Sequence, residues 1–147
     1  MKGNVEDAVN HGAHALFFPH GIGHMLGLDV HDMEDIGEDF IGYDDEFKRS
    51  EQFGTAYLRM AKKLQEGNVV TVEPGIYFID PLIEKWHSEG RYRDFIDYRA
   101  VTKYRTFGGI RIEDDVVATE NGPLVLTKDV VKTVEDIEAL MAKAKVA

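Results

Sequence analysis

The chain has 147 residues, 44% of them apolar, with a formal net charge of −10 from 27 acidic and 17 basic side chains. The length suits one domain of about 100–150 residues or a piece of one, and the composition excludes a disordered chain. Cysteine is absent, which rules out disulfides and thiolate metal sites and leaves His, Asp and Glu to hold any metal.

From its start the chain reads as follows. Lys2 to Val9 looks like the end of a helix that begins further upstream, and Ala15 to Phe18 like a short buried strand stopped by Pro19. Residues 20–32 are rich in Gly and His, and Leu26, Leu28 and Val30 alternate with polar neighbours there as in an extended segment. Residues 34–50 form a long acidic loop. Residues 55–65 have helix-forming composition, with Gly67 as the stop. Residues 69–73 and 76–79 are two strands parted by Pro74-Gly75. Residues 82–98 are mixed and charged, residues 109–119 form the best strand, and residues 134–144 an amphipathic helix. The sum is an α+β chain.

The bulk features also bear on partners and place. No apolar run approaches the roughly 20 residues of a membrane helix. No basic segment followed by an apolar stretch opens the chain. With the missing cysteines, this points to the cytoplasm. An acidic surface repels phosphate backbones, and the basic stretch Arg91, Arg93, Arg99, Lys103 and Arg105 is interrupted by Asp94 and Asp97. It reads as solvated surface, so neither nucleic acid nor a membrane is an expected partner.

Three constellations could carry chemistry. The first is His20, His24 and His31, three imidazoles within twelve positions, set among Gly21, Gly23 and Gly27. Glycine frees the backbone to let imidazoles converge. His20 and His24 have the spacing of zinc-protease helices, but Gly21 stands where that motif needs Glu. The bland alternative is a glycine-rich surface loop. The second is Val69 to Tyr77, where Pro74 holds Glu73 extended at a strand's end. A carboxylate closing an apolar strand must be exposed, paired or bound to a cation. The third is Ile110-Arg111-Ile112-Glu113. It is either an edge-strand ion pair worth little or a carboxylate kept ionised by a guanidinium. Together they offer one imidazole and two carboxylates, a set that suits Mn²⁺, Fe²⁺, Co²⁺ or Zn²⁺.

His-Gly-Ile-Gly-His with the later Val-His-Asp, then Thr-Val-Glu-Pro-Gly-Ile-Tyr, then Gly-Ile-Arg-Ile-Glu-Asp, follow one another as in the Xaa-Pro aminopeptidase and prolidase family. The chain resembles that family from about His14 to Thr127. The resemblance implies a pita-bread (creatinase/aminopeptidase-like) fold, with an antiparallel curved sheet and flanking helices. It implies that His24, Glu73 and Glu113 are metal ligands. It makes His20 and His31 the histidines that line the substrate pocket and stabilise the reacting carbonyl, Arg111 the arginine beside the last ligand, and Tyr77 a pocket residue. Glu73 would also move protons for the attacking water. Two divalent ions, Mn²⁺ first among them, would activate that water, and the substrate would be a peptide with proline at the second position.

The family also uses two aspartates on strands ahead of the first histidine motif, where this sequence has only Glu6 and Asp7. Residues 1–147 are therefore expected to be the C-terminal portion of one pita-bread domain, with an incomplete metal site and no activity alone. An unpaired sheet edge would favour a homo-oligomer. The alternative is a non-catalytic pita-bread module that binds peptide or protein, and the three ligand-type residues argue against it.

Overall fold

The computed structural model of the chain describes residues 1–144. Asn4 starts the first helix, α1 (Val5–Asn10), by accepting a hydrogen bond from the Asp7 amide at 3.1 Å. This helix has its own N-cap, so it is not the tail of a longer one. Gly12 then takes the left-handed conformation, and a 3₁₀ turn over Ala13–Leu16 replaces the expected strand. The turn puts Ala13, Ala15 and Leu16 together in the core.

That core lies under two further helices, α3 (Asp80–Ser88) and α4 (Tyr98–Val101). Pro81 occupies the first turn of α3, where its missing N–H costs nothing. Ile83 and Trp86 point inward, and Tyr92 meets the Trp86 ring edge-on at 5.2 Å. The Asp97 side chain caps α4 by accepting from the Arg99 and Ala100 amides. Arg105 ties the following turn back to α3 through Asp80 and Glu84.

The strands are β1 (Val69–Val72), β2 (Gly75–Tyr77), β3 (Gly109–Arg111), β4 (Asp114–Thr119) and β5 (Gly122–Val125). They form two open antiparallel sheets, in the orders β1-β4-β5 and β2-β3. The α+β class with flanking helices stands, but the single curved sheet does not form: neither sheet is curled or closed. The cause is local. Glu73-Pro74 breaks one strand, Ile112-Glu113 breaks the other, and proline has no N–H to continue the ladder. Yet the register is common to both sheets. Val72 pairs with Asp114 on one side of the break, and Gly75 pairs with Arg111 on the other. Glu73 therefore lies opposite Glu113, and Pro74 opposite Ile112.

Two more expectations are corrected. Residues 55–65 make no helix, because their backbone is held from across the chain. The Ala61 and Lys62 amides donate to the Gly42 carbonyl, and the Tyr43 hydroxyl donates to the Leu58 carbonyl at 2.7 Å. Residues 27–31 are bends rather than an extended segment, and Leu28 is fully exposed. The acidic stretch carries one 3₁₀ turn, Glu34–Ile36, and the short α2 (Glu38–Ile41). The last helix, α5 (Val134–Ala144), falls where its pattern placed it, with Ile137, Leu140 and Met141 exposed. Among the described residues no helix is long and apolar enough to cross a membrane.

Candidate active site

The Gly/His segment runs antiparallel beside β1. The Glu73 amide donates to the Ile22 carbonyl at 2.7 Å, the Thr71 amide to His24, and the Leu26 amide to Val69. Gly23 sits at the closest approach: a Cβ there would lie 1.9 Å from the Thr71 carbonyl oxygen. Its role is space rather than an unusual backbone angle, which differs from the reason its composition suggested.

This pairing fixes a buried trio. His24, Thr71 and Glu73 are 6%, 2% and 9% exposed. The Thr71 hydroxyl donates to Glu73 Oε1 at 3.0 Å and accepts from the His24 amide at 3.0 Å. Strand alternation places Thr71 and Glu73 on one face. His24 Nδ1 lies 2.9 Å from the Met25 carbonyl, which can only accept, so Nδ1 carries a proton. In the neutral ring Nε2 is then a bare lone pair, 3.1 Å from Glu73 Oε1. Two acceptors at that distance call for a proton or a cation between them. A histidine whose Nδ1–H is held by a carbonyl is also how a metal-ligating imidazole is oriented.

Glu113 adds a second carboxylate opposite Glu73. Like charges across a strand pair repel, and Arg111 lies between them, 3.5 Å from Glu73 Oε2 and 3.6 Å from Glu113 Oε2. Tyr77 and these carboxylates hold the Arg111 guanidinium above its ordinary range, Tyr77 contributing most. The donors fit a divalent cation in kind and orientation. They do not fit it in number: among the described residues no group of three or more His, Asp or Glu converges into a metal cage.

A hollow of about 390 Å³ opens over this arrangement, lined by His20, His24, His31, Glu73, Arg111 and Glu113. Tyr77 is not part of this lining but meets the ring of His20 edge-on at 5.3 Å. All seven residues singled out in the sequence thus gather in one place. His20 Nδ1 is held 2.7 Å from the Gly21 carbonyl, and its Nε2 is buried with no partner among the described residues. Such an orphaned nitrogen is a position for a ligand atom.

Residues 3–120 match the family model described as Metallopeptidase family M24. The chain belongs to this metallopeptidase family. It is 44% identical over 142 residues to the human Xaa-Pro dipeptidase, covering 97% of this chain and 27% of that protein. It is 41% identical over 143 residues to a probable Xaa-Pro aminopeptidase of Metarhizium robertsii, covering 97% and 29%. Among solved structures it resembles Escherichia coli aminopeptidase P with the inhibitor Pro-Leu at 38% identity and a TM-score of 0.60. That match covers 100% of this chain and 25% of the other. The zinc-substituted form of that enzyme in complex with product gives 39% and 0.59, covering 98% and 24%. The likeness extends to the pita-bread fold. The chain spans about a quarter of the length of these relatives.

Two long side chains that line the hollow were not foreseen, Tyr57 and Arg59. Both lie in the stretch read as a helix, where a helical pattern gives no reason for either to face the histidines. Arg59 affects His31. Burial pushes the His31 pKa below the usual 6.5, Arg59 and His24 push it further down, and Glu73 and Glu38 pull the other way. With the folded value below the unfolded one, the unfolded chain binds the proton more readily. The stability His31 contributes is therefore fully present above pH 6.5 and is lost as pH falls through its lowered folded value. In the metal-free chain, moving from pH 7.5 to 5.5 is expected to lower the urea midpoint more in the wild type than in His31→Gln. Equal losses would show that His31 is not held neutral.

Proposed function

We propose that this chain carries one wall of a dinuclear metallopeptidase site that hydrolyses the bond before proline, as an Xaa-Pro aminopeptidase or dipeptidase. The observation that supports it best is the placement of Glu73 opposite Glu113, with His24 Nε2 aimed at Glu73. His24, Glu73 and Glu113 would hold divalent ions, Mn²⁺ first, with Co²⁺, Zn²⁺ or Fe²⁺ as alternatives. Bound there, the ions would polarise the scissile carbonyl and lower the pKa of a water.

The remaining work falls to side chains. Glu73, kept in place by Thr71, takes and returns the water's proton. His20 Nε2 accepts from a substrate N–H when neutral and donates to the carbonyl oxygen when protonated, and His31 lines the facing wall. Arg111, 3.5 Å from Glu73 Oε2 and 3.6 Å from Glu113 Oε2, offsets the repulsion between the two carboxylates and offers its outer edge to the peptide. Residues 1–147 fit the C-terminal portion of one pita-bread peptidase domain, with further ligands supplied from outside them and little activity expected of these residues alone. The exposed stripe of α5 supports self-association, and the lack of cysteine suits the cytoplasm.

The test is release of the N-terminal residue from Xaa-Pro peptides by the protein expressed from its complete reading frame. Release that Mn²⁺ restores after chelation supports the proposal. Release that chelation leaves untouched, or none with any divalent metal, overturns it.

A further inference from the structure

Of the three ligand-type residues, His24 and Glu73 are buried, whereas the Glu113 side chain is 41% exposed. Glu113 also stands in the break between β3 and β4, outside either ladder. What aims it must therefore come from its neighbours. On one side the Ile112 amide donates to the Pro74 carbonyl at 3.2 Å. On the other, Asp114 is gripped by the turn that follows β5. The Thr127 hydroxyl donates to Asp114 Oδ1 at 2.5 Å and accepts from the Asp115 amide at 3.0 Å. Lys132 Nζ lies 2.9 Å from the same carboxylate oxygen and donates to the Val130 and Thr127 carbonyls at 3.0 and 3.1 Å. An ammonium has three donors, and here all three have acceptors. The Leu126 amide closes the grip by donating to the Asp115 carbonyl at 2.8 Å.

We infer that Thr127 and Lys132 are positioning residues for Glu113: by clamping Asp114 they aim the preceding carboxylate into the hollow, where a divalent cation would meet it. The inference rests on the peptidase reading above. Neighbouring side chains along a strand point to opposite faces. Pinning Asp114 to the face away from the hollow therefore leaves Glu113 the face toward it. Neither Thr127 nor Lys132 lines the hollow, so their effect on an ion there must pass through β4. Outer partners that orient metal ligands are commonly worth about ten- to a hundredfold in metal affinity.

The experiment is a calorimetric Mn²⁺ titration of the complete protein, with thermal melting of each variant to check folding. Thr127→Val removes the hydroxyl and Lys132→Met the ammonium, and each is expected to weaken Mn²⁺ binding about tenfold. Thr127→Ser restores the hydroxyl and should bind like the wild type. In a Glu113→Gln background, adding Thr127→Val should cost nothing further, because that carboxylate carries the effect. Wild-type affinity in both Thr127→Val and Lys132→Met overturns the inference. So does a loss in Thr127→Ser as large as in Thr127→Val, or one that adds in full to Glu113→Gln, since either marks a general loosening of the sheet. Failure of both clamp variants to fold overturns it too, by making the clamp a requirement of folding rather than of aim. A wild type that binds no Mn²⁺ removes the inference and the peptidase reading together. Hydroxyl-dependent binding with no hydrolysis of any Xaa-Pro peptide removes only that reading.

Discussion

Replacing Glu73 with Gln is expected to lower kcat/KM for an Xaa-Pro peptide about a thousandfold in the complete, Mn²⁺-loaded protein, the range lost with an essential acid–base group. The substitution keeps the shape of a side chain only 9% exposed. The Thr71 hydroxyl at 3.0 Å still finds an acceptor. What disappears is the charge beside His24 Nε2 and Arg111, and with it the metal ligand and proton carrier that the proposed function assigns to Glu73. A thousandfold corresponds to about 4 kcal/mol at the transition state. Removing a negative charge that faces Glu113 relieves repulsion in the metal-free chain, so its urea midpoint should hold while activity collapses. A loss below tenfold would take Glu73 out of the mechanism.

Gly23→Ala is expected to lower the melting temperature by roughly 10 °C, reflecting about 3 kcal/mol of overpacking at the usual sensitivity of a chain this size. The added methyl would meet the Thr71 carbonyl oxygen at 1.9 Å and its carbon at 2.9 Å. Neither atom can retreat, because Thr71 is in the middle of β1 and pairs with Asp115 of β4. The His segment must move instead, which breaks the bonds that place His24 against Thr71. Ile22→Ala is the control. Its side chain is 60% exposed, so its loss should cost about 0.5 kcal/mol or less. A Gly23→Ala protein that melts with the wild type would mean that the two segments do not approach so closely.

The residues that gather at the hollow were more legible in the sequence than the fold, for a physical reason. His20, His24, His31, Glu73, Tyr77, Arg111 and Glu113 sit in short motifs whose local geometry is dictated by Gly, Pro and strand alternation, and the structure brings all seven together. The misreadings concern segments governed by distant partners. Residues 55–65 have helical composition, but Gly42 and Tyr43 take the backbone groups a helix would use. Ala15 to Phe18 looked like a strand because a buried run shows no period, and burial decided for a 3₁₀ turn. The stretch 109–119 read as one strand, since nothing within it marks the break at Ile112-Glu113. That break is set by Pro74 on the opposite strand. Strand β5 was missed although Asn121-Gly122 is a strong hairpin signal.

The common register of the two sheets ties ligand binding to folding fidelity. Side chains alternate along a strand, so a strand pair formed one residue out of step would turn Glu113 to the opposite face from Glu73. Repulsion between the two carboxylates favours that slipped pairing, and a cation held between them opposes it. An ion bound only to the in-step form stabilises it by mass action, increasingly with concentration. The metal would then act as a proofreader of strand alignment before it acts on any peptide.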